Sequence, residues 1–300
     1  MGKALLETSA AARAVFAAAD EALAGQGGPK LSQIILEGPA DELKRTKNTQ
    51  PAILTMSIAA LRALEERTGP LAPALLAGHS LGEYSALVAS GALAFADAVR
   101  CVRARGSFMQ DAVPEGEGAM AAVLGLDADA ITRIVEDSAT SGAYVSVANY
   151  NGPEQTVIAG SKAGVEAASA ALKAAGAKRV LPLPVSAPFH CALMAPVQAQ
   201  LDAVLAHVPL AALLVPVVAN VDACPNSDAA RVRALLVAQV TAPVRFTESV
   251  QRMLKDGVDT FIEVGPGKVL SGIVKRMNKE AKLYNVEDSA SLALAMEVLR

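Results

Sequence analysis

Apolar side chains recur at helical spacing from Pro51 to Thr68, and a short apolar run, Ala74 to Ala77, follows just before a glycine. The change of period predicts a helix, a loop and a buried strand. From Leu81 the helical pattern resumes, with Tyr84, Leu87 and Val88 on one face and Gly91 near its end; a second helix is predicted over Phe95 to Arg105. Ser80 therefore falls at a strand-to-helix junction.

Between Gly118 and Val185 the period alternates. Ala119 to Leu124 reads as a strand, Asp127 to Ala139 as a helix and Tyr144 to Ala148 as a strand. Gln155 to Ala159 reads as another strand, Ala163 to Ala174 as a helix and Arg179 to Leu183 as the last strand. The order βαββαβ is that of a ferredoxin-like unit. Helices and apolar strands return after Pro188, with strands predicted at Val215 to Asn220 and Thr260 to Val264 and a helix at Ser249 to Lys255. The expected fold class is α/β. Residues 1–116 and 187–300 form a large α/β-hydrolase-like domain with a parallel sheet, and residues 117–186 form a small ferredoxin-like insert.

Composition changes this picture little: 300 residues, 52% hydrophobic and 19% charged, suffice for a large core. The net charge of -3, with no Lys/Arg run interleaved with aromatics, argues against nucleic acid as a partner. The longest apolar stretch, Val208 to Val221, is short for a bilayer and is broken by Pro209 and Pro216, and the first residues lack a signal-peptide core. No membrane association is expected, and the location read from the sequence is cytoplasmic. Cys101, Cys191 and Cys224 lack CxxC spacing, so neither a disulfide framework nor a metal site is expected.

The chemistry begins at Gly78-His79-Ser80-Leu81-Gly82, which matches the G-x-S-x-G nucleophile elbow. Such a turn lifts the serine hydroxyl above the strand end and presents the amide of Leu81, at a helix N-terminus, to a developing oxyanion. A serine nucleophile needs a base, and the chain has three histidines, His79, His190 and His207. His79 lies inside the elbow with its side chain expected to point away from that of Ser80, and His207 reads as a surface or helix-end residue. His190 follows a predicted strand in the turn Ser186-Ala187-Pro188-Phe189-His190 and is the better candidate.

Several motifs in order resemble the malonyl-CoA:acyl carrier protein transacylase family, which includes acyltransferase domains of fatty-acid and polyketide synthases. They are Asn48-Thr49-Gln50-Pro51, the segment Gly78 to Ala86, Arg105-Gly106-Ser107-Phe108-Met109-Gln110, Ala187-Pro188-Phe189-His190 and Glu263-Val264-Gly265-Pro266-Gly267. The resemblance implies Ser80 as nucleophile, His190 as its base, and Gln239 as the acceptor that orients the imidazole in place of the usual aspartate. It implies that Arg105 grips the malonyl carboxylate through its planar fork, where the residues alone favour a solvated helix-end arginine beside Arg100 and Arg103. Leu81 and Phe189 match the malonyl-selective pattern, and His79 joins the substrate-binding set. Asn149 and Asn151 either line the substrate cleft or serve as turn formers beside Gly152-Pro153.

The implied reaction carries malonyl from malonyl-CoA to the phosphopantetheine thiol of acyl carrier protein through a Ser80 ester, in fatty acid biosynthesis, with no cofactor. Alternatives are a serine hydrolase or esterase, a trans-acting polyketide acyltransferase, and a catalytically silent carrier-binding module. Members of the family begin with a buried strand and a Gly-Gln-Gly-Ser-Gln loop whose glutamine gives the second oxyanion amide. The sequence from Met1-Gly2-Lys3 is expected to start just after that loop and to hold half of the oxyanion hole; Gln26 follows a helical stretch and is no substitute.

Overall fold

The structure, a computed structural model, describes residues 1–185 and 187–299; Ser186, at the expected boundary of the insert and the start of the His190 turn, and Arg300 lie outside the described residues. The described residues include nine strands: β1 (Leu76–Ala77), β2 (Gly118–Leu124), β3 (Val145–Tyr150), β4 (Gln155–Ser161), β5 (Arg179–Pro182), β6 (Val217–Val218), β7 (Pro225–Asn226), β8 (Thr260–Val264) and β9 (Lys282–Val286). Helices fill most of the remainder, giving a mixed α/β protein with small sheets.

The central strands β2 and β4 of the four-stranded sheet, ordered β3-β4-β2-β5 with antiparallel neighbours, carry unbroken buried runs rather than a polar alternation. Both faces are covered, which removes the need for a polar side. On one face Ala121, Val123, Val145 and Ile158 meet Ile131, Val135, Val165 and Leu172 from helices Ala128–Ser138 and Lys162–Ala174. On the other, Met120, Ala122, Ala148, Val157 and Ala159 pack with Cys191 and Phe189. Each fully buried aliphatic chain here stabilises the fold by about 1.5–3 kcal/mol. The second face thereby clamps the segment that carries His190.

The remaining strands do not form the single parallel sheet expected from the sequence. β1 pairs parallel with β6, β7 adds antiparallel to β6, and β8 pairs parallel with β9 as a separate sheet. No strand hydrogen bonds join the two sheets among the described residues; they share a core in which Leu76, Val217, Ile262 and Val286 pack with Leu54 and Ile58 of the long helix Thr46–Thr68. The predicted strand from Val215 to Asn220 shrinks to β6, because Pro216 precedes it and Asn220 turns towards the elbow.

Helix Phe95–Asp111 runs past the predicted end at Arg105. Gly106 does not stop it; a Cβ there would stand 2.7 Å from the Thr46 carbonyl oxygen, so a glycine lets this helix meet the start of helix Thr46–Thr68. Arg105 is thus a mid-helix residue rather than a solvated helix-end one. No helix among the described residues is long and apolar enough to cross a membrane.

Candidate active site

Helix Leu81–Ala89 starts immediately after Ser80, whose backbone sits at φ 51 and ψ -106. A non-glycine residue there costs about 1–3 kcal/mol, which the surroundings must offset. The turn is tight enough that a Cβ on Gly78 would lie 2.0 Å from the carbonyl of Gly82, so position 78 requires glycine; a Cβ on Gly82 would meet open space. The Leu81 N–H, first in the helix, has no intrahelical acceptor, and the helix N-terminus favours negative charge beside Ser80.

Ser80 Oγ lies 2.7 Å from His190 Nε2, and His190 Nδ1 lies 2.8 Å from the main-chain oxygen of Gln239. A carbonyl can only accept, so Nδ1 carries the proton and donates, leaving the Nε2 lone pair to accept from the serine hydroxyl. His190 is buried and also holds a positive φ, of 58. Burial pushes its pKa down to about 3, with Arg105 adding to the effect and the hydrogen bond to Gln239 opposing it. The imidazole is therefore a neutral acceptor over the physiological range.

The role expected of Gln239 is divided between its two halves. Its main-chain carbonyl, not its side chain, orients His190. The side chain, fully buried, accepts from Arg105 Nη2 at 2.8 Å on Oε1 and donates from Nε2 to the Ser80 carbonyl at 3.0 Å and to Glu83 Oε2 at 2.8 Å. A flipped amide would set its NH2 against the guanidinium and its oxygen against the carboxylate, so the flanking charges decide its orientation.

Arg105 is 1% exposed, unlike its neighbours Arg100 and Arg103. Besides Gln239 it donates from Nη1 to Gln50 Oε1 at 2.7 Å and from Nη2 to Ser80 Oγ at 3.1 Å, and its guanidinium carbon lies 5.6 Å from the Tyr84 ring centroid. Its Nε is buried without a hydrogen-bond partner. This cation stands beside the Ser80 hydroxyl and opens on a cleft of about 1090 Å3 lined by Gln50, Ser80, Leu81, Arg105, Met109 and Phe189. A carboxylate in that cleft would meet it without leaving the site.

Asn149 and Asn151 are not on that cleft. Asn149 is buried in β3, beside Val244. Asn151 accepts the turn position: its N–H donates to the Gln155 carbonyl at 2.9 Å, and its Oδ1 lies 2.8 Å from His79 Nε2. His79 points away from Ser80, towards Asn151 and the Phe246 ring at 5.4 Å between centroids; it too lies off the cleft and ties the elbow to the small sheet. Desolvation lowers its pKa while Asn151 opposes the shift. Gln26 sits in an exposed turn.

Three residues without a role in the sequence reading belong to the site. Gln50 holds Arg105. Asn220 accepts the Ser80 N–H at 2.6 Å and donates to the Gly78 carbonyl at 2.7 Å. Glu83, which with Ser80 spells the S-x-x-E capping signature, does not cap its own helix; its Oε2 accepts from Gln239 and, at 3.0 Å, from the Asn220 N–H. The spacing signalled a local role, and the tertiary structure took the same carboxylate elsewhere.

Comparison with known proteins gives a consistent picture. The family model described as "Acyl transferase domain" matches residues 1–296. A malonyl CoA-acyl carrier protein transacylase of Bacillus subtilis is 49% identical over 300 residues, 100% of this chain and 93% of the relative. Among solved structures, the malonyl CoA-acyl carrier protein transacylase of Coxiella burnetii superposes with a TM-score of 0.95 at 37% identity, covering 100% of this chain and 93% of the other. A malonyl-transacylase in complex with its type II polyketide-synthase acyl-carrier protein gives 0.94 at 45% identity, covering 99% and 94%.

Proposed function

The chain belongs to the acyl transferase domain family, and on that premise we propose that it moves a malonyl group from malonyl-CoA to the phosphopantetheine thiol of acyl carrier protein, in fatty acid biosynthesis. The observation that carries the reading is the line from Gln239 carbonyl to His190 to Ser80 Oγ, at 2.8 and 2.7 Å, with the buried Arg105 at 3.1 Å from the same hydroxyl.

Ser80 Oγ attacks the thioester carbonyl as His190 Nε2 takes its proton, and the Leu81 N–H donates to the oxyanion. Collapse breaks the carbon–sulfur bond; the imidazolium returns the proton to the departing coenzyme A thiolate. Malonyl remains as an ester on Ser80. The carrier's thiol then gives its proton to His190 and attacks the ester, and Ser80 Oγ leaves and recovers the proton. Throughout, Arg105 pairs with the free malonyl carboxylate, which a neutral acyl group lacks. Because the carbonyl of Gln239 is neutral, it fixes the ring and tautomer while stabilising imidazolium less than a carboxylate would.

For the architecture, we read residues 117–186 as a ferredoxin-like subdomain set into a large domain of α/β-hydrolase type, residues 1–116 and 187–300. The four-stranded antiparallel order, with the first and third strands of the unit at its centre, supports that reading. So does the strand–elbow–helix around Ser80.

The test is incubation with malonyl-CoA, with and without phosphopantetheinylated carrier protein, followed by intact mass. An adduct on Ser80 that passes to the carrier is expected. Rapid release of malonate with no carrier loading would favour a hydrolase. Running fatty-acid and polyketide carriers in parallel separates the two pathways.

A further inference from the structure

The strained peptide of Ser80 is gripped at both ends by side chains. Asn220 Oδ1 accepts its N–H, and Gln239 Nε2 donates to its carbonyl. Neither gripping residue is held by its own helix or strand alone. Both depend on one oxygen, Glu83 Oε2, which accepts from the Asn220 N–H at 3.0 Å and from Gln239 Nε2 at 2.8 Å. The same Gln239 carries the carbonyl that sets the His190 tautomer and the amide oxygen that receives Arg105. Glu83 is 3% exposed and touches no reacting atom.

We infer that Glu83 is a positioning residue for acyl transfer, whose carboxylate locks Asn220 and Gln239 and, through them, the Ser80 peptide, the His190 imidazole and the Arg105 guanidinium. The inference rests on the reading of Ser80 as nucleophile. Both groups that meet Oε2 are N–H donors, so the ionised form fits the site; a proton on that oxygen would face two donors. A displacement of the nucleophile by even 1 Å typically costs on the order of a hundredfold in rate.

Titration of Glu83 should therefore be visible in the chemistry. Burial pushes it up to about 7; the bonds from Gln239 and Asn220 and the charge of Arg105 act against that, and Asp222 adds to it. Arg105, Asp222 and the Tyr84 phenol are the titratable and charged groups that face it among the described residues. His190, held down to about 3, has already lost its proton in that range. An ascending limb near pH 7 in Ser80 acylation thus belongs to Glu83 rather than to the histidine.

The experiment follows acylation by malonyl-CoA in quench-flow with intact mass for wild type, Glu83→Gln and Glu83→Ala, across about pH 5.5 to 8.5, with folding checked by circular dichroism. Wild type should gain acylation rate through about pH 7. Glu83→Gln, nearly isosteric and able to set its carbonyl where Oε2 stands, should stay within about tenfold of the wild-type plateau and lose the limb. Glu83→Ala should fall about a hundredfold in acylation, because it misplaces the nucleophile, a loss from which the nearly isosteric Glu83→Gln is largely spared. A Glu83→Gln profile that keeps the limb, or a folded Glu83→Ala protein at wild-type rate, overturns the inference and leaves the proposed function standing. Wild type that forms no adduct on Ser80 overturns both.

Discussion

Replacing Arg105 by alanine separates substrate recognition from general damage to the site. Two effects are superposed. The guanidinium's hydrogen bond to Ser80 Oγ is lost for every acyl donor, and a bond to a charged group contributes about 1.5–3 kcal/mol. The pairing with a malonyl carboxylate is lost only for malonyl, and a desolvated charge-assisted contact of that kind costs about 2–5 kcal/mol. At 1.36 kcal/mol per tenfold, the second effect alone lowers the malonyl-to-acetyl preference by roughly 30-fold to several thousand-fold. Truncation also leaves Gln50 Oε1 and Gln239 Oε1 buried without their cationic partner, at about 1–3 kcal/mol each, so a lower melting temperature is expected. The readout is therefore the ratio of acyl-enzyme formation from malonyl-CoA and acetyl-CoA at matched concentrations, taken below the melting transition. Arg105→Lys, which keeps the charge and loses the fork, should fall between wild type and alanine for malonyl. Equal losses for both thioesters in a folded variant would refute the assignment of Arg105 to the carboxylate.

Ser80→Ala should leave no malonyl adduct by intact mass while the melting temperature stays close to wild type, since the hydroxyl is only half-buried; an adduct on the variant would remove Ser80 from the role. Asn220→Ala removes the acceptor of the Ser80 N–H and the donor to Gly78, so acylation should drop about a hundredfold with an unchanged KM, and a wild-type rate would show that the elbow holds its own geometry. The folded state raises Glu83 from 4.5 to about 7, so its contribution to stability is fully present below 4.5 and is lost as pH rises through about 7. Urea unfolding of wild type and Glu83→Gln should accordingly show wild type losing stability relative to the variant over that window, and a constant difference would mean that Glu83 does not titrate there. His190 works in the opposite sense: its depressed pKa contributes stability above 6.5 that is lost as pH falls towards about 3, so its ring resonances should report a neutral imidazole at about pH 5.

Local pattern carries far in this chain. The short apolar runs and period-3.6 stretches between Gly118 and Val185 locate the strands and helices of the small unit to within about two residues, because the central strands are buried on both faces and the helices on one. The glycine before Ser80 and the helical run after it locate the elbow, since position 78 cannot carry a Cβ. Periodicity is silent on which strands pair across long separations, so the division of the remaining strands into two sheets rests on tertiary packing alone. It is silent, too, on burial within a charged helix: Arg100, Arg103 and Arg105 look alike along the chain, and only the approach of Gln50, Tyr84 and Gln239 makes Arg105 a desolvated cation. A residue's identity announces its side chain and not its backbone, which is why the carbonyl of Gln239 could not be read as the partner of His190. The convergence of Asn220 and Gln239 on Glu83, 137 and 156 residues away, is decided when the fold brings three separate segments beneath one strained serine. There the low dielectric makes every unpaired polar group costly, and that cost selects a single arrangement.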